Sequence, residues 1–493
     1  MCLRSADGGQ WRPRAPEDAI SQAQRQCRGT FTCVINRSDL ISATKFPEIR
    51  PLLAQVDVLL CDEDVRTLSG ERRDPAFNGR WDPDASLGRP PSSLILFRTN
   101  LIEDCGGWRG PSEDGYACRL LQWDLLLRIG HHRRDVRIEH APVVMVHRRE
   151  VPAHALKPSP SVMEAIIKRF LNETGQGSTV QATGSSSGTL RLRYQRASTP
   201  KASIIVPTRD RIELLKPCIE SLLSQTRYPH FEVLVVDNES SEPETHAFLT
   251  HAASDPRVRP IRCKGVFNWA LSNNVGATDT DGEVLIFLNN DTVVINDDWL
   301  DELISQALRP EIGIVGAKLY YPDNRVQHAG IVVDRDGNAL HGWRYALRED
   351  PGYLDQLSIV RSVSAVTGAC MAIRRDVFRK LGGFDETLRV AWNDVDLCLR
   401  SWAAGYRVIW TPHAELYHHE GGTRSFDSSP QDEARAVRET DQVRNTHRAL
   451  LPALNFQSPN LLCDRDQPYL STRVLADLAE RHPFESSLTR AAS

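Results

Sequence analysis

The side chains that could do chemistry lie in three short polar stretches, each directly after a run of apolar residues. Pro207-Thr208-Arg209-Asp210 follows Ala202 to Val206, Asp237-Asn238 follows Phe231 to Val236, and Asn289-Asn290-Asp291 follows Val284 to Leu288. Asp, Asn and Pro end strands in proteins of every kind, so any one of these stretches alone reads as an ordinary turn. Together they read otherwise, because open α/β sheets bind ligands beyond the carboxyl ends of their strands. Asp291, a carboxylate at the end of a buried strand, suits a hard divalent cation shared with a diphosphate. Mg²⁺ or Mn²⁺ keeps few protein ligands and completes its coordination from phosphate oxygens, so one carboxylate and one further ligand suffice. His418 follows a predicted strand (Tyr406 to Trp410) and a proline turn. It reads either as that second ligand or as a structural histidine.

Positioning these groups requires a sheet. The β-branched run Ala202 to Val206, a helical pattern from Ile212 to Gln225 and the buried run Phe231 to Val236 give strand, helix, strand at the spacing of a parallel α/β unit. Val284 to Leu288 adds a third strand, and Asp298 to Ala307 another helix. The chain's 493 residues exceed one compact core and imply several domains. The break is expected across 151–200, where Ser161 to Asn172 reads as a short helix and Gly175 to Gly188 as a Gly/Ser/Thr-rich linker. Residues 1–150 and 201–427 then form two domains, with a partly helical tail over 428–493. Gln431 to Leu451 has an amphipathic pattern of mixed charge, which favours packing on the preceding domain over contact with a membrane.

Composition narrows the function. An apolar fraction of 41%, a charged fraction of 25% and a net charge of -4 belong to an ordinary globular chain. They argue against a nucleic-acid binder, which concentrates basic residues. No segment approaches the roughly 18 apolar residues of a membrane span. The eleven cysteines are scattered with no C-x-x-C pair, and Met1 to Arg14 lacks the apolar core of a signal peptide, so free thiols and a cytoplasmic setting are expected.

The two sides of the linker repeat one another. Gly29 to Asn36 matches Gly282 to Asn289, Gly106-Gly107-Trp108 matches Gly382-Gly383-Phe384, Asp124 to Arg128 matches Asp396 to Arg400, and Arg137 to Pro142 matches Arg407 to Pro412. Four landmarks in order are hard to obtain by chance. The first copy places Ser38 at the Asp291 position and Gln122 at the Asp394 position. Too little chain precedes Gly29 for two nucleotide-holding strands, so it reads as a truncated, inactive remnant or as a start codon read too late.

Ser203-Ile-Ile-Val-Pro-Thr-Arg-Asp210, Val235-Val-Asp-Asn238, Phe267-Asn268, Asn273-Asn274 and Leu288-Asn-Asn-Asp-Thr292 together resemble family 2 glycosyltransferases. So do Val326-Gln-His-Ala-Gly330, Thr367-Gly-Ala-Cys370, Gly382-Gly-Phe-Asp385, Trp392-Asn-Asp-Val-Asp-Leu-Cys-Leu-Arg400 and Leu416-Tyr-His-His419, in the same order. The resemblance covers about 202–424 and is greatest to bidomain enzymes of O-antigen and other surface polysaccharide synthesis. It implies a GT-A fold, of Rossmann-like α/β type, preceded by a truncated relative. It further implies inverting transfer of a sugar from a UDP- or dTDP-sugar donor to a hydroxyl of a glycan or lipid-linked acceptor. Partner glycosyltransferases and peripheral attachment at the inner face of the plasma membrane would go with that role.

Carried onto this sequence, the resemblance puts Pro207, Thr208 and Asp210 in the base pocket and Asp237 and Asn238 against uridine or thymidine. Asn273 falls near the nucleotide or diphosphate, and Gly368 and Ala369 border the acceptor. Asn289 and Asp291 form a variant Asp-x-Asp motif, with Asp291 the metal ligand. Asp394 is the base, Asp396 forms an intrahelical ion pair with Arg400, and Arg424 steadies the diphosphate. Two other classes compete with this reading. A non-catalytic scaffold or sugar-binding protein would not need both Asp291 and Asp394. A nucleotidyltransferase would carry a Gly-rich loop where Pro207-Thr-Arg-Asp-Arg211 has no glycine.

Overall fold

Two runs buried on both faces, Val58–Arg66 and Leu94–Arg98, start the first sheet. In the computed structural model this sheet comprises β1 (Phe31–Thr32), β2 (Leu40–Ile41), β3 (Val58–Arg66), β4 (Arg72–Ala76), β5 (Leu94–Arg98) and β6 (Ile138–Arg149). Its order is β1-β5-β3-β6-β2, with β4 on β3. Only β3 and β6 run parallel; the other neighbours are antiparallel. Helices α1 (Phe46–Leu53), α2 (Pro83–Gly88), α3 (Thr99–Asp104) and α4 (Ala117–His132) accompany it. Leu121, Leu125, Leu126 and Ile129 of α4 close the core over Val58, Leu60, Ile95 and Phe97.

The structure describes residues 29–36, 38–109, 117–132, 135–150, 159–177, 179–185, 188–196, 198–333, 338–419, 430–464 and 467–470. The chain divides into one unit of Met1–Leu192, Phe456–Asp464 and Pro468–Ser493 and another of Arg193–Asn455 and Arg465–Gln467. The expected linker is therefore corrected. The helix is present as α5 (Pro160–Glu173), but it packs into the first unit through Met163, Ile166, Ile167, Phe170 and Leu171. The Gly/Ser-rich stretch folds as a hairpin of β7 (Val180–Gly184) and β8 (Leu190–Tyr194). Val180, Ala182, Leu190 and Leu192 are buried at every second position, a strand pattern that the surrounding glycines and serines masked.

The second unit contains β9 (Ala202–Thr208), α6 (Ile212–Gln225), β10 (Phe231–Asp237), α7 (Pro243–Ala252), β11 (Val258–Arg262), α8 (Trp269–Thr278), β12 (Val284–Leu288), β13 (Thr292–Val294) and α9 (Trp299–Ala307). It continues with β14 (Ile312–Tyr320), β15 (Val326–His328), β16 (Ile331–Val333), β17 (Ala339–His341), β18 (Arg361–Ser362), β19 (Cys370–Arg374), α10 (Arg375–Lys380), α11 (Asn393–Ala403), β20 (Arg407–His418) and α12 (Pro430–His447). The sheet order is β11-β10-β9-β12-β19-β14-β20-β13, with β15 on β14 and β18 on β20. The three expected strands and two expected helices are all present. The sheet is mixed, however, because β19 lies antiparallel between β12 and β14.

The succession β12-β19-β14-β20-β13 has the same senses as β1-β5-β3-β6-β2. Register slips beside a proline in both: Cys61 and Asp62 pair with Ala141 and Val144 around Pro142, and Gly316 and Lys318 pair with Trp410 and Glu415 around Pro412. A residue with no N–H to give is tolerated at such a bulge. The proline turn expected before His418 is thus a bulge within one continuous strand. Gly106 and Gly107 adopt φ of 82° and 73°, and so do Gly382 and Gly383. Strands β9 to β11 have no counterpart among the described residues of the first unit.

Candidate active site

Sheet order reverses between β9 and β12, and the loops leaving β9, β10 and β12 meet there. These loops interlock. The Asn238 N–H donates to the Thr208 carbonyl oxygen (2.9 Å), and Asn290 Nδ2 donates to Thr208 Oγ1 (3.0 Å). Asp237 Oδ1 accepts the Ser240 N–H (3.0 Å), and Asp210 Oδ1 accepts those of Ser241 and Glu242 (2.8 and 2.9 Å). Burial opposes ionisation of Asp210, but these amide donors win and hold its carboxyl below the usual range. Asp210, Arg211, Glu239 and Trp392 all have φ between 53° and 66° without being glycine. Strain of this kind collects where a fixed surface is needed.

Sequence placed most of these residues in one site, and the structure brings them together. Pro207 and Thr208 end β9, Asp237 ends β10, and Asn289 follows β12. Asn238 is 2% exposed; its Nδ2 donates to the carbonyls of Cys263 and Gly265, while its Oδ1 has no hydrogen-bond partner. The Asn289 N–H donates to the Ala369 carbonyl, and the Gly368 N–H to Asp394 Oδ2 (2.8 Å). Asp394 lies in the first turn of α11, and its Oδ1 accepts the Val395 N–H (2.8 Å). It remains partly exposed. Asn273 is fully buried in α8, with Nδ2 on the Trp269 carbonyl and an Oδ1 that has no hydrogen-bond partner. Asp210 is partly exposed, and its carboxylate accepts from the turn before α7. Arg424 lies outside the described residues.

His418 shows whether these residues fit a cation. The indole Nε1 of Trp269 can only donate, and it donates to Asn289 Oδ1 (3.1 Å). That bond turns Asn289 Nδ2 towards His418 Nε2 (3.3 Å), which must therefore offer a lone pair. Asp291 Oδ1 lies 3.1 Å from the same Nε2. Asp291 is 3% exposed, and its Oδ1 has no hydrogen-bond partner despite this proximity. The two atoms are close without the alignment of a hydrogen bond. Ligands about 2.1 Å from one ion and at right angles stand about 3.0 Å apart, so the pair has the spacing of neighbouring ligands in an octahedral Mg²⁺ or Mn²⁺ site. Among the described residues no group of three His, Cys, Asp or Glu side chains gathers to hold an ion.

Three supports escaped the sequence reading. Trp269 orients Asn289 and packs against Gly368, where a β-carbon would come within 2.6 Å of its ring. Glu439 of α12, 3% exposed, accepts the N–H groups of Arg389 (3.2 Å) and Ala391 (2.9 Å) in the loop before α11. His447 Nε2 reaches Asp396 Oδ1 at 2.8 Å, beside the expected Asp396–Arg400 pair at 2.7 Å. Burial alone would raise the Asp396 pKa, but His447 and Arg400 bring it below the usual range. Residues on α12 are too distant in sequence for any local spacing to reveal them.

The first unit repeats this scaffold with other groups. Asp124 pairs with Arg128 (2.7 Å) and with Arg169 of α5 (2.7 Å), as Asp396 pairs with Arg400 and His447. Gln122 Oε1 accepts the Ile95 N–H, and Ser38 is exposed in a turn. Counting six residues on from each proline sets Arg148 opposite His418. Its guanidinium binds Asp39 Oδ2 (2.7 Å) and Glu63 Oε2 (2.8 Å). Burial would disfavour its charge, but these carboxylates more than compensate and hold it protonated.

Comparison with known proteins adds the following. The family described as "Glycosyl transferase family 2" matches residues 203–382. An uncharacterized protein of Sinorhizobium fredii, y4gI, is 36% identical over 92% of this chain and 51% of its own length. O-antigen biosynthesis protein RfbC of Myxococcus xanthus is 38% identical over 84% of this chain and 32% of its own length. The chain thus spans about half of one relative and about a third of the other. Among solved structures, GalNAc-T7 with UDP, GalNAc and Mn²⁺ aligns with a TM-score of 0.42 and 17% identity, over 61% of this chain and 57% of that one. Among the described residues, no helix is long and apolar enough to cross a membrane.

Proposed function

Residues 203–382 belong to glycosyl transferase family 2, and from that premise we propose that the second unit is a metal-dependent, inverting sugar-nucleotide transferase of surface polysaccharide synthesis. The close approach of Asp291 Oδ1, a buried oxygen with no hydrogen-bond partner, to His418 Nε2 at 3.1 Å carries this reading. Asp291 and His418 would hold the cation, with Asn289 beside them. When bound, the cation stabilises the negative charge on the departing diphosphate. Asn238 Oδ1, a buried acceptor without a partner, suits the imide N–H of uracil or thymine. Pro207, Thr208 and Asp237 would form the walls around the nucleoside.

Asp394 is the base. Each of its oxygens holds one backbone N–H and keeps a lone pair for the acceptor hydroxyl. The hydroxyl oxygen attacks the anomeric carbon, its proton passes to the Asp394 carboxylate, and the carbon–oxygen bond to the diphosphate breaks with its electron pair. Configuration inverts because attack and departure are on opposite faces. Gly368 and Ala369 would border the acceptor, a glycan or a lipid-linked sugar. The similarity to RfbC, an O-antigen biosynthesis protein, supports that acceptor class.

The first unit reads as a degenerate copy of the same GT-A fold, without counterparts of β9 to β11 among its described residues, that serves in binding or assembly. Arg148, Ser38 and Gln122, where the second unit has His418, Asp291 and Asp394, favour this. Calorimetry with UDP and dTDP, with and without Mn²⁺, tests the proposal. Binding that requires Mn²⁺ and disappears in Asp291→Ala is expected, and failure of the folded wild type to bind either nucleotide would refute it.

A further inference from the structure

One side chain grips His418 at two points. Gln327, in β15 and 4% exposed, donates from Nε2 to the His418 carbonyl oxygen (3.2 Å) and sets Oε1 2.6 Å from His418 Nδ1. A carbonyl oxygen can only accept, so the first contact fixes which end of the amide is nitrogen. The amide oxygen facing the ring must then accept, and Nδ1 must carry the hydrogen. Trp269 and Asn289 require the same tautomer from the opposite side of the ring. Without Gln327 a competing state opens. A proton on Nε2 would occupy the lone pair that a cation needs, 3.1 Å from Asp291 Oδ1.

We propose that Gln327 is a positioning residue for divalent-cation binding, holding His418 in the Nδ1–H tautomer so that its Nε2 lone pair stands beside Asp291 Oδ1 before an ion arrives. The inference rests on the reading of Asp291 and His418 as the metal pair. Gln327 touches neither donor nor acceptor, and its effect is exerted through the imidazole. A carboxylate in its place would still accept from Nδ1, whereas an aliphatic side chain would leave the tautomer free.

The test is Mn²⁺ binding followed by electron paramagnetic resonance, with UDP present, on full-length protein labelled with ¹⁵N-histidine. Wild type is expected to show one bound Mn²⁺ with a histidine-nitrogen coupling that His418→Gln removes. Gln327→Leu should bind Mn²⁺ about 10–100-fold more weakly. Gln327→Glu should stay within a few-fold of wild type, and Gln327→Asn, which keeps a polar group but shortens the arm, should fall between. Circular dichroism checks that each variant is folded. Equal Mn²⁺ affinity in wild type and Asp291→Ala would overturn the metal reading and this inference with it. Loss in Asp291→Ala, with Gln327→Leu and Gln327→Asn unchanged, would overturn the role of Gln327 alone. Equal losses in Gln327→Glu and Gln327→Leu would do the same.

Discussion

Substitution of Gly368 by alanine measures how tightly the site is assembled. The new β-carbon would stand 2.6 Å from Trp269 Cη2 and 2.8 Å from Cζ2, where ordinary contact begins at 3.4 Å. The indole must retreat by about 0.8 Å, the difference between 3.4 and 2.6 Å. Phe384 packs edge-on at 5.0 Å, and Asn289 holds Nε1 at 3.1 Å, so the ring cannot move without loss. A retreat along that bond stretches it to about 3.9 Å, beyond hydrogen-bonding range. Gly368 does not occupy the left-handed region, so alanine adds no backbone strain of its own. Overpacking costs about 1–3 kcal/mol and the lost hydrogen bond about 1 kcal/mol. For a domain of this size that corresponds to a fall in melting temperature of about 5–15 °C. Freed from Trp269, Asn289 should release His418, and misplacement on this scale costs about 100-fold in turnover. Differential scanning calorimetry and a UDP titration with Mn²⁺ read the two effects. In a Trp269→Phe background, which removes both the clash and the bond, Gly368→Ala should be close to neutral. Melting within 1 °C of wild type together with unchanged UDP affinity would show that the ring is not held as described.

Asp394→Asn should bind UDP with Mn²⁺ as wild type does but turn over about 10²–10⁴-fold more slowly, read as sugar release from the donor or transfer to acceptor; unchanged turnover would remove Asp394 as the base. Asp396 supports α11 and α12 in its ionised form, and its folded pKa lies below the unfolded value. Its stabilisation is therefore present above about pH 4 and lost as pH falls through the folded value. Denaturant melts should place Asp396→Asn about 3 kcal/mol below wild type at pH 7, with the gap closing in acid; a gap independent of pH would contradict the ion pairs. In the first unit Arg148→Met leaves Asp39 buried without its cation and Glu63 with Arg119 alone, and should destabilise that unit by about 3 kcal/mol. Proteolysis confined to the first unit would report it, and wild-type resistance would argue against the pairing.

Much of the second unit was legible because its strands are buried on both faces. Ala202–Thr208, Phe231–Asp237 and Val284–Leu288 are continuous apolar runs with polar ends, and such runs declare both the strand and the place where a ligand waits. Asp291 could be picked by residue type at such an end, Asp394 by the family resemblance, and the Asp396–Arg400 pair by helical spacing. The insertion of β19 between β12 and β14 could not be read, since pairing partners 55 to 90 residues apart leave no local trace. His447 and Glu439 were illegible for the same reason: only the folded chain brings α12 to the loop before α11. The hairpin at 180–194 was hidden by composition, since glycine and serine outnumber the four alternating apolar residues that form it.

Arg148 changes how the first unit relates to its surroundings. A bound ion is shared with the solution, so any fold that depends on one is stabilised by mass action and weakened when a chelator lowers the supply. The first unit instead encodes its positive charge in the gene, delivered at fixed stoichiometry with every copy of the chain. The two units of one polypeptide should therefore respond differently to the same solution. Melting of the second should rise with Mn²⁺ and nucleotide, while that of the first stays where it is, an internal thermometer that registers temperature and ignores the ligand.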